Sequence, residues 1–197
     1  EMINGDWSSD VCSSDLSEEK QANSVQDFLQ RQDEDESVRK WKESLLGDAA
    51  SGDLSLASPA DDPRHVIAKE FKVVVHDGPT YTYNLEDKDQ LTDLKKNGYE
   101  LKEGQTFHYE VTILVHHDIV LGITFETKSK KMLAKQEASF EIGSYPPTVA
   151  PISKVLDECE VPSGKLARGE YKTINVIKDE RDNKYFTFES KFRIVKP

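Results

Sequence analysis

Hydrophobic and polar side chains alternate along the stretch from residue 107 to residue 115. The odd positions are all apolar (Phe, Tyr, Val, Ile and Val), and polar side chains such as His108 and Glu110 stand between them. Because successive side chains of a strand point to opposite faces, this pattern predicts a half-buried β-strand with one face toward water. A second alternating stretch follows at residues 119–125. Two such strands need another sheet to cover their apolar faces.

Further alternating stretches recur along the chain after about residue 64. Turn signals separate them, among them Asp77-Gly78-Pro79 and Pro162-Ser163-Gly164, and the only helical pattern in this part is a brief one at 90–97. Short strands with frequent turns and little helix predict an antiparallel β-sandwich over residues 63–197. The predicted strands beyond the central pair cover residues 71–75, 81–85, 169–176 and 186–194.

The last of these strands has an unusual residue on its apolar face. Phe186, Phe188, Phe192 and Ile194 share that face, and Ser190 stands in their midst. Two interpretations remain open. The strand is bent and partly exposed there, or the small side chain widens a space between the sheets that holds an apolar ligand.

The N-terminal third of the chain differs from the rest. Residues 1–16 do not match the character of the remaining sequence, and we interpret them as a non-native leader. Residues 17–62 are acidic and poor in β-branched residues, a composition that buries too little apolar surface to order itself. We therefore predict a regulatory arm over residues 17–62 that is disordered, or becomes helical on binding.

Two short helical patterns lie within this arm. Ser24 can cap the first, and the second runs from Asp33 to Gly47 with Trp41 and Leu45 on one stripe. Both are near or below the length at which isolated helices become marginally stable. Either the helices pack permanently on the sandwich, or the arm becomes ordered when a partner covers this stripe.

The net charge of −11 belongs entirely to this N-terminal third. Residues 1–62 hold 16 acidic and 5 basic side chains (5 − 16 = −11), and residues 63–197 hold 21 of each. An acidic arm of this kind favours a basic protein surface over nucleic acid or an anionic membrane. In the sandwich segment, we expect Lys128, Lys130 and Lys131 to form the solvated end of a hairpin.

Cysteine content and hydropathy indicate in which cellular compartment we expect the protein. The two cysteines, Cys12 and Cys159, do not make a disulfide framework, which favours a reducing environment. No apolar run approaches the roughly 18 residues of a membrane span, and no signal peptide is visible. We expect a cytoplasmic protein without stable membrane insertion.

Motifs that would carry chemistry are absent from the sequence. Gly143-Ser144-Tyr145 lacks the spacing of a nucleophile elbow, and Ser163-Gly164-Lys165 lacks the upstream glycine of a phosphate-binding loop. The His116-His117 pair has no Cys or carboxylate at metal-ligand spacing. The sequence therefore predicts a protein that is not an enzyme and needs no metal or cofactor.

Four stretches, in this order and at approximate spacing, resemble the Rho GDP-dissociation inhibitors. They are DEDESVRKWKESLLG at 33–47, LKEG at 101–104, IGSY at 142–145 and PSGKLARGEY at 162–171. The likeness extends from about Ser24 to Lys196. It implies an immunoglobulin-like antiparallel β-sandwich behind a flexible acidic arm with two short helices.

The resemblance also implies a function. A member of this family binds prenylated Rho-family small GTPases, preferably with GDP, inhibits GDP release and extracts them from membranes by sequestering the geranylgeranyl group. At ~0.8 kcal/mol per buried CH₂, an apolar pocket would offset on the order of ten kcal/mol of lost membrane burial. One alternative is a general prenyl- or lipid-binding chaperone without nucleotide control. Another is an adaptor sandwich with a filled core.

Site residues follow from the resemblance position by position. Asp35, Ser37, Trp41, Leu45 and Leu46 would contact the switch regions of the GTPase. For each candidate in the prenyl pocket, an ordinary core position is the alternative. Phe188 and Ser190 depart from the family pattern, since many members carry tryptophans in the last strand. The prenyl-pocket candidates are Phe71, Val73, Tyr99, Ile119, Phe140, Leu166 and Phe188.

Overall fold

The computed structural model of the protein describes residues 59, 61–132 and 134–197. Ten strands and one helix make up this part of the chain. The two predicted helices of the arm fall outside the described residues. In chain order the elements are β1 (Val66–Val75), β2 (Thr80–Asn84), α1 (Lys88–Lys96), β3 (Tyr99–Lys102), β4 (Thr106–Val115), β5 (Val120–Lys131), β6 (Ala134–Tyr145), β7 (Ile152–Val155), β8 (Cys159–Glu160), β9 (Gly169–Lys178) and β10 (Lys184–Val195).

The strands form two sheets that face each other. The first has the order β2-β1-β4-β7, with the two-residue β8 also paired to β4, and the second has the order β3-β10-β9-β5-β6. The prediction of a β-sandwich is confirmed. One pairing departs from the antiparallel expectation, because β3 lies parallel to β10. The chain crosses through α1 from β2 in the first sheet to β3 at the edge of the second.

Aromatic side chains from both sheets meet in the centre of the sandwich. The ring of Phe71 on β1 lies 5.7 Å from that of Phe125 on β5 and 5.3 Å from that of Phe188 on β10. All three are almost completely buried. Tilted and edge-to-face contacts at these distances stabilise a core beyond the area that they bury.

The helix α1 is short and capped at both ends. The Asp87 side chain accepts hydrogen bonds from the amides of Asp89 and Gln90, and Leu94 is fully buried. Gly98 ends the helix with φ of +65°, and a Cβ there would lie 1.8 Å from the Lys191 carbonyl oxygen, so only glycine fits. Within the part of the chain that the structure describes, no helix is long and apolar enough to cross a membrane.

Strand β5 differs from its predicted pattern at both ends. Its register with β6 shifts between Val120 and Ile123, around Gly122 with φ of +60°. This bulge interrupts the alternation expected over residues 119–125, because an extra residue occupies one strand of the pair. The three lysines expected at the solvated end of a hairpin lie in a strand and not in a loop. Lys128 and the two other lysines belong to β5, which continues as far as Lys131.

Candidate functional site

A cavity of about 60 Å³ lies between the two sheets, at the end of the sandwich where β5 and β6 join. Gln136, Glu160 and Pro162 border it and are exposed to solvent, so the cavity has its mouth there. Its lining residues come from strands of both sheets and from the segment that follows β8. They are Leu101, Phe107, Tyr109, Thr127, Ser129, Gln136, Ala138, Phe140, Cys159, Glu160, Val161, Pro162, Phe192 and Ile194.

The wall of the cavity is mainly aromatic and aliphatic. Tyr109 contacts Phe107 and Phe140 edge to face, with centroids 5.3 and 5.7 Å apart, and Phe192 stacks on Tyr171 at 4.7 Å. Burial raises the pKa of Tyr109 to about 12, so its hydroxyl stays neutral at physiological pH. The cavity therefore offers an uncharged aromatic surface to an apolar ligand.

A row of polar side chains runs across the inner face of the second sheet beside the cavity. Thr127 and Ser129 line the cavity, and the Ser129 and Thr173 hydroxyls lie 2.8 Å apart. On β9, the strand that also carries Thr173, the Asn175 amide donates to the hydroxyl of Ser190 on β10 at 2.8 Å. We call these five residues the polar row. They lie between the cavity and the aromatic cluster of Phe71, Phe125 and Phe188.

Ser190 is therefore neither at an exposed bend nor in the cavity wall. It is 3% exposed, and its partner Asn175 is 1% exposed. The hydrogen bond between them satisfies two polar groups that would otherwise destabilise the interior.

Charged side chains anchor the 163–168 loop next to the mouth. The Glu103 carboxylate accepts a hydrogen bond from the Gly164 amide and another from the Arg168 guanidinium, both at 2.8 Å. The bond from Arg168 holds the pKa of Glu103 below its usual value. On the other side, the Lys131 ammonium donates to the carbonyl oxygens of Leu166, at 2.7 Å, and of Arg168.

Cys159 gives the cavity wall a thiol. Its side chain is partly buried, and burial raises its pKa, with a smaller contribution from the charge of Asp157. The thiol is therefore protonated at neutral pH and a weak nucleophile.

Comparison with known proteins identifies the family. The family described as RHO protein GDP dissociation inhibitor matches residues 7–197. This chain belongs to the Rho GDP-dissociation inhibitor family. The family, one of regulatory inhibitors, is the one that the four sequence stretches resemble, so that prediction is confirmed.

Rho GDP-dissociation inhibitors from distant eukaryotes align with most of this chain. The Schizosaccharomyces pombe protein is 29% identical over 88% of this chain and 82% of its own length. The Saccharomyces cerevisiae protein is 31% identical over 87% of this chain and 86% of its own. Rho GDP-dissociation inhibitor 1 of Rattus norvegicus is 27% identical over 88% and 82%. None of these names supports the alternative of a lipid chaperone without nucleotide control.

The structure distributes the predicted prenyl-pocket residues over different environments. Of the seven, Phe140 lines the cavity. Four are buried in the core around it: Phe71, Val73, Tyr99 and Phe188. Ile119 is buried near the start of β5, away from the cavity end, and Leu166 is 95% exposed on the anchored loop.

Several cavity residues were missing from the sequence-based set. Phe107, Tyr109 and Phe192 stand at inward positions of strands that the alternation predicts correctly, so their orientation was available from the pattern. The packing of the two sheets against each other decides which inward positions border a void. The alternation of apolar and polar residues carries no information on this packing. The proposed switch contacts Asp35, Ser37, Trp41, Leu45 and Leu46 lie outside the described residues.

A histidine cluster marks the point where residues 62–65 join the sandwich. The His117 imidazole Nε2 lies 2.6 Å from the Asp62 carbonyl oxygen, and the ring of His117 is 5.5 Å from that of His65. His116 is buried, its Nδ1 has no hydrogen-bond partner among the described residues, and burial lowers its pKa. Across residues 61–132 and 134–197, no group of His, Cys, Asp or Glu side chains is arranged to hold a metal ion.

Proposed function

We propose that this protein binds Rho-family GTPases in their prenylated, GDP-bound form, slows GDP release and withdraws the GTPases from membranes. The observation that supports this function best is the apolar cavity that opens at one end of the sandwich, in a member of the Rho GDP-dissociation inhibitor family. In this proposal the geranylgeranyl chain enters between the sheets. The protein acts as a stoichiometric binder in the cytoplasm, without turnover or a cofactor.

The empty cavity is smaller than such a chain. A buried cavity of about 150 Å³ accommodates one benzene molecule, and this one has about 60 Å³. A geranylgeranyl chain is several times larger than benzene. Binding therefore requires the cavity to expand, either by rotation of lining side chains or by movement of the segment at its mouth.

We expect the segment around β8 to be the part of the wall that moves. β8 has two residues, paired with Thr106 and Phe107 at one end of β4. Pairing of this extent contributes few backbone hydrogen bonds, and segments with few such bonds open at low free-energy cost. We expect the chain to enter between this segment and β6, whose Gln136 and Ala138 form the opposite side.

The depth of the bound chain decides which residues contact it. Near the mouth the chain would contact Phe140 and the other lining residues. A chain that passes the polar row would reach Phe71 and Phe188, and Val73 lies on the same inward face of β1. Tyr99 would lie beside the chain through its partner Tyr109, whose hydroxyl is 3.5 Å from its own. Ile119 is a more distant member of the proposed set, and Leu166 stands outside the cavity on the loop next to its mouth.

The acidic arm would control the release of GDP from the GTPase. Residues 17–62 hold 12 acidic and 5 basic side chains (5 − 12 = −7), a charge that suits a basic protein surface. Trp41 and Leu45 of the helical stripe, with Leu46 beside them, would pack on the GTPase next to Asp35 and Ser37. An arm that orders on binding covers a wide surface while the contact stays reversible.

Release of a fluorescent GDP analogue from a geranylgeranylated Rho-family GTPase tests this function. We expect the full chain to slow release strongly at stoichiometric concentration. Trp41→Ala should weaken the inhibition and leave the thermal stability of the sandwich unchanged. Release at the same rate with and without the wild-type chain would contradict the proposal.

A further inference from the structure

Four lysines stand directly opposite one another across the outer face of the second sheet. Lys135 on β6 is the register partner of Lys130 on β5, Lys130 is the partner of Lys172 on β9, and Lys172 is the partner of Lys191 on β10. We call these four residues the lysine row. It crosses four adjacent strands without an acidic residue between its members.

This arrangement is unfavourable for the isolated protein. Like charges directly opposite each other on neighbouring strands destabilise a sheet. Within the described residues, Lys191 has an ion pair, with Glu170 at 3.4 Å, and the other three lysines have none. The sandwich segment as a whole is neutral, with 21 acidic and 21 basic side chains in residues 63–197, so the row is a local concentration of positive charge.

Acidic side chains around the row are few, and some have partners elsewhere. Glu170 is within 4 Å of Arg193 as well as Lys191. Glu189 pairs with Lys95 of α1 at 3.0 Å, and Glu137 stands opposite Lys128. Lys130, Lys135 and Lys172, which have no ion pair within the described residues, therefore keep a positive excess along the row.

Exposed apolar side chains border the same region. Leu166 is 95% exposed and Met132 is 85% exposed. Both stand near Lys131, which directly precedes Met132 in the chain and whose ammonium bonds to the Leu166 carbonyl oxygen. Ile174 adds a third apolar side chain, 40% exposed, on the outer face next to Lys128.

The row also lies over the cavity. Ser129 and Gln136 line the cavity from the inner face, and their chain neighbours Lys130 and Lys135 carry the positive charge on the outer face. The exposed pair of Met132 and Leu166 is at the end of the sandwich where the cavity opens.

We propose that this surface docks peripherally on an anionic phospholipid bilayer. The lysine row would lie against the headgroups, and Met132 and Leu166 would enter the interface, as basic and apolar side chains do together at membrane surfaces. The exposed apolar pair favours a bilayer over nucleic acid, which offers charge alone. Docking in this orientation brings the cavity mouth to the membrane, and it needs no GTPase.

Co-sedimentation of the full-length chain with phosphatidylcholine vesicles, with and without phosphatidylserine, tests the proposal. We expect binding that requires phosphatidylserine and weakens as the ionic strength rises. Lys172→Glu should reduce the partition coefficient at least about tenfold, because it removes one positive charge from the surface and adds a negative one. Its folding has a separate check: the new carboxylate faces Lys130 and Lys191, so the Tm should stay the same or rise.

Two further variants sharpen the test. Lys184→Glu makes the same charge change at an exposed position near the far end of β10, and it should retain binding within about twofold. Met132→Ser combined with Leu166→Ser should weaken binding while the dependence on phosphatidylserine remains. Equal partition of the wild-type chain onto neutral and anionic vesicles would overturn the proposal. Binding of Lys172→Glu at the wild-type level would overturn it as well. Binding above that level would also overturn it, since this result would indicate that the row binds the acidic arm instead.

Discussion

The Asn175 amide donates a hydrogen bond to the Ser190 hydroxyl at 2.8 Å, inside the sandwich. The same amide donates to the Phe188 carbonyl oxygen at 3.3 Å. This pair explains why a serine stands among phenylalanines on the inner face of β10. The Ser190 hydroxyl and the Asn175 amide are hydrogen-bonded to each other in the interior, between the aromatic cluster and the cavity.

Removal of the Ser190 hydroxyl tests this account of the polar row. Ser190→Ala leaves the Asn175 amide with one buried partner fewer, so we expect the free energy of unfolding to fall by about 1–2 kcal/mol. Urea unfolding measures the change. Ser139→Ala removes a hydroxyl from an exposed position of β6, and it should alter stability by less than about 0.5 kcal/mol. Equal stability of the two variants would show that the buried bond contributes nothing.

The Glu103 carboxylate connects the β3–β4 turn with the 163–168 loop. Glu103→Ala deprives the Gly164 amide and the Arg168 guanidinium of their common acceptor, and we expect the free energy of unfolding to fall. The loop should also become more sensitive to limited proteolysis. Glu158→Ala, at an exposed site in the same region, serves as the control. A loop that resists cleavage equally in both variants would argue against Glu103 as its anchor.

Burial of His116 makes stability depend on pH. Its pKa in the folded protein lies below the ordinary value of 6.5, so the unfolded chain binds a proton at a higher pH than the folded one. The contribution is fully present above about pH 6.5 and is lost as the pH falls below that value. His116→Asn should flatten the decrease in unfolding free energy between roughly pH 7 and pH 5.

The control for this prediction is His76→Asn. The His76 side chain is 75% exposed, so this substitution removes a histidine from the surface and not from the interior. If His116→Asn and the wild-type protein lose stability in parallel as the pH falls, the burial of His116 does not carry the effect.

Cys159 can report whether the cavity is occupied. In a Cys12→Ser background it is the only thiol, and its raised pKa predicts slow reaction with a maleimide near neutral pH. A geranylgeranyl-cysteine analogue at ten times its Kd leaves about a tenth of the molecules empty, so labelling should slow about tenfold. Labelling at an unchanged rate under saturating analogue would place the chain outside this cavity.

The sequence predicted much of the fold because alternation reports the face of each strand directly. The inward positions of β4 follow the pattern throughout, those of β10 are buried from Phe188 onward, and α1 lies within two residues of its prediction. The failures occur where tertiary contacts override the local pattern. The bulge at Gly122 breaks the alternation of β5, and β3 pairs in parallel with β10 through contacts between residues far apart in the chain.

The cavity was harder to predict than the fold. The sequence-based set followed the largest apolar side chains, and rings such as Phe71 and Phe188 fill the centre of the sandwich instead of leaving space. The space remains at the end where β5 carries Thr127 and Ser129, since small side chains fill less of the gap between the sheets. The sequence offered one signal of this region, the polar Ser190 on an apolar face.

Membrane extraction by a variant with a filled cavity tests the central claim most directly. Liposomes that carry a GDP-bound, geranylgeranylated Rho-family GTPase are mixed with the full chain and then pelleted. Ala138→Leu places a larger apolar side chain in the cavity and should preserve the fold, whereas Ser139→Leu adds the same side chain to the exposed face of the same strand. We predict stoichiometric release by the wild-type chain and by Ser139→Leu, and little release by Ala138→Leu. Release by Ala138→Leu at the wild-type level would contradict the assignment of this cavity to the prenyl chain.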